Sequence, residues 1–252
     1  MPLPLREMEG VRMLAEPGFD RRLEPGAKAA ESMRSGRSRL RLLVEWRLKR
    51  LMDVVGAGIG LVVLAPFITL IAIAIRLDSP GPAIFKQTRV GKGGRRFTFY
   101  KFRSMYEDSD AGVHEQYTAR LIAGEDLDNL MGDNGSFKLE HDSRITRVGR
   151  LLRRTSLDEL PQLANVLLGQ MSLIGPRPPL EYEVAKYKEP HLRRLEVLPG
   201  MTGLWQVSGR TKTSFEEMVE LDVAYVDNWS FTLDLRILAR TPFVVFNREG
   251  AW

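Results

Sequence analysis

Residues Arg153 to Leu163, RRTSLDELPQL, set an acidic pair, Asp158 and Glu159, directly behind two arginines and just ahead of a proline. Carboxylates placed this way can do one of two things. The first is structural. Ser156 and Glu159 have the spacing of a capping box, and Asp158 suits an N-cap with Pro161 in the first helical turn, a contact worth about 1 kcal/mol. The second is chemical. A carboxylate beside a helix end and a group of arginines stays ionised, can hold Mg²⁺ against a phosphate, and has the setting of a nucleophile. Arg144, Arg147, Arg150, Arg153 and Arg154 recur at near-helical spacing with Ile145, Val148, Leu151 and Leu152 between them, which predicts a helix with one basic and one apolar face. Cap and site both remain open on this evidence.

Other residues could serve the same chemistry. Pro176 and Pro178 fix the backbone on either side of Arg177, whose guanidinium fork could face a phosphate or a membrane interface, or simply sit solvated in a rigid turn. Arg210 follows turns containing Gly200 and Gly203, where backbone can approach a ligand closely or merely form a loop. Asp222 and Asp234 are further polar candidates. Ser214 and Glu217 form a capping box opening a helix whose Phe215, Met218, Leu221 and Tyr225 read as a core stripe. The absence of cysteine excludes disulfides and thiolate zinc, and His114, His141 and His191 are too scattered to suggest a metal cluster.

The elements that must position these groups begin with a tail. Residues 1–45 mix Pro, Gly, Arg and Glu without a sustained period and predict a disordered basic segment. Val54 to Ile75 then runs 22 positions without a charge; as a helix it extends roughly 33 Å, enough for a hydrocarbon core of about 30 Å. Arg47, Lys49 and Arg50 precede it, a train of cations from Arg76 to Arg103 follows, and Pro66 removes a hydrogen bond past its middle. A re-entrant hairpin bent at Pro66 keeps both cationic ends on one side; a single span and a buried helix are the alternatives. The Gly56 to Gly60 spacing suits close helix packing. GAGIG lacks the third glycine of a dinucleotide loop, and GKGG is turn chemistry between two aromatic and β-branched runs, predicting a β-hairpin over AIFKQTRVGKGGRRFTFYKFRSM. Residues 107–140 are polar and acidic, consistent with a helix and a loop. With 252 residues, 44% hydrophobic content and a net charge of +5, the chain supports a folded core and an anionic partner: a nucleotide, a nucleic acid or an acidic membrane.

Taken in order, the apolar segment with its proline, KFRSM, TSLDELPQL, GQMSLIGPRP, LPGMTGLWQVSGR, ELDVAYVDNWSFTLDLRIL and the terminal GAW resemble the bacterial sugar transferases, the monotopic phosphoglycosyl transferases. The resemblance covers about Arg47 to Trp252, although Ala65-Pro66 stands where other members often have Ser-Pro. It implies an α+β, mainly helical fold: a tail (1–45), a membrane-embedded re-entrant helix-break-helix hairpin (46–77), and a cytoplasmic transferase domain (78–252) with a β-hairpin and interfacial amphipathic helices. It implies transfer of a sugar-1-phosphate from a UDP-sugar to polyprenyl phosphate with release of UMP, on the cytoplasmic face of a bacterial inner membrane, supplying downstream glycosyltransferases. Asp158 is then the expected nucleophile, Glu159 its partner in Mg²⁺ or proton handling, and Arg103, Arg154, Arg177 and Arg210, with Asp222 and Asp234, the substrate-binding groups. Trp229, Phe231 and Trp252 could anchor at the interface. A membrane-attached basic scaffold is the alternative. Nucleic-acid binding is not expected, since no groove-reading or aromatic RNA-binding motif is present and it leaves Val54 to Ile75 unexplained.

Overall fold

Gly36–Asp78 forms one α-helix, α1, of 43 residues in the computed structural model, which describes residues 36–107, 144–208 and 214–246. At 1.5 Å per residue, α1 is about 65 Å long. It opens inside the stretch read as tail and continues through Pro66 without leaving helical backbone there. The physical reason lies in what proline removes and what remains. Pro66 deletes one rung, the N–H that would reach the Val62 carbonyl. One turn on, the Thr69 hydroxyl donates to the Ala65 carbonyl at 2.9 Å. Packing on either side of the proline holds the axis together: Ala57, Leu61 and Leu64 belong to one apolar cluster with Phe97, Phe99 and Leu163, and Ile68, Ile71 and Ile75 to another with Phe102 and Leu152.

α1 is therefore the spine of the fold. Trp46, Lys49, Asp53, Ala57, Leu61, Leu64, Ile68, Ile71 and Ile75, spaced three or four apart, face the rest of the chain. On the opposite side Leu40, Val44, Leu48, Leu51, Val55, Ile59, Val62, Leu70, Ile73 and Leu77 form an exposed apolar stripe. By length and composition, Leu40–Asp78 is long and apolar enough to cross a membrane. The cations counted as its N-terminal flank are partly internal: Lys49 is buried, and the Arg50 guanidinium donates to the Val166 and Leu167 carbonyls at 2.7 and 2.9 Å. Gly56 and Gly60 do permit close packing. A β-carbon there would come within 2.9 Å of Leu173 and 3.3 Å of Leu163.

The expected β-hairpin is present. β1 (Ile84–Val90) pairs antiparallel with β2 (Arg96–Phe102), from Ile84 opposite Phe102 to Val90 opposite Arg96. Gly93 and Gly94 turn it at φ of 67° and 74°, a region open to glycine at little cost. Phe97 and Phe99 point inward against α1 while Arg96 and Thr98 face out, the period of two that an amphipathic strand requires.

α2 (Arg147–Thr155) starts at Thr146, whose hydroxyl accepts the Gly149 N–H at 2.9 Å. Gly149 is needed for a different reason: a β-carbon would lie 2.1 Å from the Ser104 carbonyl oxygen. A 3₁₀ turn, Leu157–Glu159, leads into α3 (Gln162–Leu167). Two three-residue strands, β3 (Ser172–Ile174) and β4 (Gly200–Thr202), pair in parallel, which the sequence reading did not anticipate. Of the short helices α4 (Glu181–Val184), α5 (Glu189–Leu192) and α6 (Leu204–Ser208), the first two bring Val184 and Leu192 to a cluster with Val90 and Leu195, and α6 packs Leu204 and Val207 on the cluster of Ile174. α7 (Phe215–Asp227) carries the expected capping box, with Ser214 and Glu217 exchanging hydrogen bonds of 3.2 and 2.8 Å, and buries Phe215 and Tyr225 as read. α8 (Phe231–Phe246) packs on α1 and β3 through Leu233 and Ile237. The described fold is thus mainly helical with two small sheets.

Candidate active site

Asp158 and Glu159 lie on the 3₁₀ turn between α2 and α3, and the capping alternative fails there. Ser156 has φ 56° and makes no side-chain cap bond; the N-cap position of α3 is Pro161 itself, which makes none either. Ser156 is the one non-glycine residue with positive φ among those described. That conformation costs a residue with a β-carbon about 1 kcal/mol or more. Ser156 is the left-handed C-cap of α2, its N–H bonded to the Arg153 and Leu152 carbonyls, and it turns the chain so that Asp158 and Glu159 follow on the 3₁₀ turn.

Three cations surround Asp158, each delivered by a different element. Lys101 comes from β2, where it stands opposite Phe85 with its ammonium 5.3 Å from that ring's centroid. Arg153 comes from the last turn of α2. Arg177 comes from the loop after β3. Burial pushes the Asp158 carboxyl above the usual carboxylate range, and Lys101, Arg153 and Arg177 oppose the rise. Lys101 moves the other way. Burial pushes its ammonium from 10.5 down to about 8, resisted by Asp158 and reinforced by Arg89, Arg153 and Arg177. A half-buried carboxylate that would rather be neutral, kept company by cations, is arranged to receive a further anion such as a phosphate.

The Pro176-Arg177-Pro178 loop is clamped by its carbonyls. Gly200 N–H donates to the Pro176 oxygen at 2.8 Å, Arg89 Nη1 to the Pro178 oxygen at 2.8 Å, and Val90 N–H to the Pro179 oxygen at 3.0 Å. The prolines bring no N–H of their own, so the loop presents only acceptors to its clamps. Arg177, half-buried between two buried prolines, is the side chain left facing the cationic group. Arg89 is itself buried, with two of its nitrogens on Gln87 Oε1 and its guanidinium 5.2 Å from the Phe99 ring centroid. Burial, and then Arg177, lower it to about 10.

The structure distributes the other candidates differently. Arg154 is exposed, and Arg153 beside it is the arginine whose charge reaches Asp158. Arg103 is buried at the end of α1, donating to the Ser79 carbonyl at 2.7 Å and the Ser79 hydroxyl at 3.0 Å. Asp222 is buried against Arg194 at 2.7 Å, and burial raises it to about 6 against that pairing. Asp234 is buried with Lys49 at 2.8 Å. These aspartates organise the core under the site. Arg210 and Trp252 lie outside the described residues. Trp229 stacks on Trp46 with ring centroids 4.2 Å apart, the core-packing alternative. Gly200 and Gly203 do allow close approach, but to the backbone of Gly175, whose nitrogen and oxygen would stand 2.1 and 2.4 Å from added β-carbons.

Two residues escaped the sequence reading. Lys101 was one cation among many on a strand edge, and only its pairing partner places it at Asp158. Asn165, fully buried on α3, accepts the Tyr100 N–H at 3.1 Å and donates to the Thr98 carbonyl at 2.6 Å, so the helix after the acidic pair grips the strand that carries Lys101. An asparagine five residues beyond Leu160 in an apolar helix was the available signal.

As to metal, no group of three or more His, Cys, Asp or Glu that could hold an ion occurs among the described residues. An all-oxygen pair such as Asp158 and Glu159, short of a full shell, fits Mg²⁺, which usually takes one or two carboxylates and completes its coordination with phosphates and water.

Comparison with known proteins gives a consistent picture. The family model described as bacterial sugar transferase matches residues 44–248. The galactosyl transferase CpsE of Streptococcus agalactiae is 48% identical over 204 residues, 81% of this chain and 43% of the relative. The undecaprenyl-phosphate galactose phosphotransferase of Salmonella typhimurium is 43% identical over 205 residues, 81% of this chain and 42% of the relative. The UDP-glucose:undecaprenyl-phosphate glucose-1-phosphate transferase of Caulobacter vibrioides is 39% identical over 230 residues, 88% of this chain and 78% of the relative. The chain spans under half the length of the first two.

Proposed function

The chain belongs to the bacterial sugar transferase family, and from that premise we propose that it transfers a sugar-1-phosphate from a UDP-sugar to polyprenyl phosphate. The observation that carries this reading is the Asp158 carboxylate set among Lys101, Arg153 and Arg177. A carboxylate oxygen of Asp158 attacks the sugar-bearing phosphorus. The bond from that phosphorus to the bridging oxygen breaks, UMP leaves with the electron pair, and an aspartyl sugar-phosphate remains. A phosphate oxygen of the polyprenyl phosphate then attacks the same phosphorus, the acyl–phosphate bond breaks, and Asp158 returns as a carboxylate. The product is a polyprenyl diphosphate sugar, which glycosyltransferases can extend into a surface polysaccharide or glycoconjugate.

The difficulty in both steps is that an anion approaches an anion. Lys101, Arg153 and Arg177 neutralise the charge, and because their elements are fixed before substrate arrives, little reorganisation is needed during reaction. Asp158 and Glu159 would hold Mg²⁺, which when bound supplies further neutralisation of the diphosphate.

Membrane attachment follows from α1. Its inner face is fastened to the body from Trp46 to Ile75, so a straight passage through the bilayer would drag the body into hydrocarbon with its polar groups. We therefore place the outward stripe of α1 in one leaflet, with the body on the cytoplasmic side where UDP-sugars are found. Incubating the purified protein with labelled UDP-sugar and no lipid acceptor should give UMP and a protein-bound sugar-phosphate visible by intact mass. UMP release that requires both substrates together would reject the covalent route.

A further inference from the structure

The loop that presents Arg177 is held from behind by two charged side chains of α1. Asp53 Oδ1 accepts the Leu173 N–H at 2.8 Å and the Ser172 hydroxyl at 3.0 Å. Lys49 Nζ donates to the Ile174 carbonyl at 2.9 Å and to Asp234 Oδ2 at 2.8 Å. The three consecutive residues of β3 are thus gripped by one turn of the membrane helix. Tyr225 seals the arrangement, its hydroxyl 2.7 Å from Asp234 Oδ1 and 3.2 Å from the Ile174 oxygen, and Trp229 Nε1 donates to Asp234 Oδ2 at 3.1 Å. Lys49, Asp53 and Asp234 are 3%, 1% and 0% exposed. Burying such charges is costly unless every partner is in place, and packing alone would be served as well by apolar side chains. Beyond Ile174 the chain has little freedom. Gly175 N–H donates to the Thr202 carbonyl at 2.9 Å, and the Pro176 carbonyl is taken by Gly200.

We infer that Lys49 and Asp53 are positioning residues: the membrane helix sets where Arg177 stands relative to Asp158 by holding β3. The inference rests on the reading of Arg177 as a phosphate-binding cation. Displacing a reacting or charge-stabilising group by about 1 Å can cost on the order of 100-fold in rate, so a grip lost three residues upstream is enough to matter. Movement of α1 against the body then reaches β3 directly through Lys49 and Asp53.

A double-mutant cycle tests this. Lys49→Met with Asp234→Asn removes the buried ion pair as a unit, while Asp53 keeps its hydrogen bonds to Ser172 and Leu173. kcat/KM for UMP release and Tm are measured for wild type, this pair, Arg177→Ala and their combination, in one detergent. The pair should lower kcat/KM about 100-fold, and the combination should be no worse than Arg177→Ala alone, because the grip acts through that arginine. Asp53→Asn, which keeps the accepting oxygen, should retain activity within a few-fold, whereas Asp53→Leu should match the pair. Losses that multiply in the combination overturn the inference while leaving Arg177 in the site, as does a pair with unchanged kinetics. Wild-type kinetics in Arg177→Ala overturn both the site reading and the inference built on it.

Discussion

Replacing Lys101 with methionine should separate stability from chemistry. Burial depresses this ammonium from 10.5 to about 8, so the folded protein binds that proton less tightly than the unfolded chain. The sign follows from linkage. Below about pH 8 the charged lysine is a cost to the fold, present in full; between pH 8 and 10.5 the unfolded chain holds more protons and the cost disappears as pH rises. At about 1.4 kcal/mol per unit the full cost would be about 3.5 kcal/mol, and because the side chain is partly exposed roughly 1–2 kcal/mol is the better figure. Lys101→Met should therefore melt no lower than wild type at pH 7, and the gap in its favour should close by pH 10. Activity should respond in the opposite direction. Without Lys101 the burial that raises Asp158 loses its largest opponent, so the acid limb of the UMP-release profile should move to higher pH and turnover should fall by 10²-fold or more. Thermal melts of both proteins in metal-free buffer at pH 7 and 10, beside pH–rate profiles, provide the measurement. A mutant that loses several degrees of Tm at pH 7, with its acid limb unmoved, would refute the reasoning.

Asp158→Asn keeps size and removes the nucleophile; it should melt like wild type, form no adduct by intact mass, and lose turnover by several orders of magnitude. Pro66→Leu should raise Tm in detergent by an amount corresponding to as much as 3 kcal/mol, since α1 already runs through this position and regains a rung to Val62; a lower Tm would mean that a break at Pro66 is needed. Gly149→Ala drives a methyl group into the Ser104 carbonyl and should destabilise by about 3 kcal/mol or prevent folding, read by denaturant melts.

The parts of the fold legible in sequence are those whose signal is local. The β-hairpin announced itself through two glycines between alternating strands, and the opening of α7 through Ser214 and Glu217. What was hidden depends on partners far along the chain. α1 is apolar around nearly its whole circumference, so no periodicity distinguishes its inner face from its outer, and the unbroken path through Pro66 is decided by packing against Phe99 and Phe102. Lys49 read as part of the charged shoulder of an apolar run and Asp53 drew no reading, although each has a buried partner more than a hundred residues away. β3 and β4 are three residues each, too short for a period of two to show. The acidic pair stood out in sequence, and of the cations whose charge reaches Asp158, Arg177 had been singled out, Arg154 had been named rather than its neighbour Arg153, and Lys101 was one cation among many on a strand edge.

The grip of Lys49 on Asp234 joins positions 185 residues apart, and this separation orders events during synthesis. At about 5–20 residues per second, the ribosome completes the stretch between them in roughly 10–40 s. For that interval Lys49 of a newly made α1 lacks Asp234, and until β3 is made it also lacks the Ile174 carbonyl, as Asp53 lacks Ser172 and Leu173. α8, which carries Asp234, is therefore the last described element to fasten α1 to the body. Anything that slows synthesis between Asp53 and Asp234, codon usage included, lengthens that wait without altering a single contact in the finished protein.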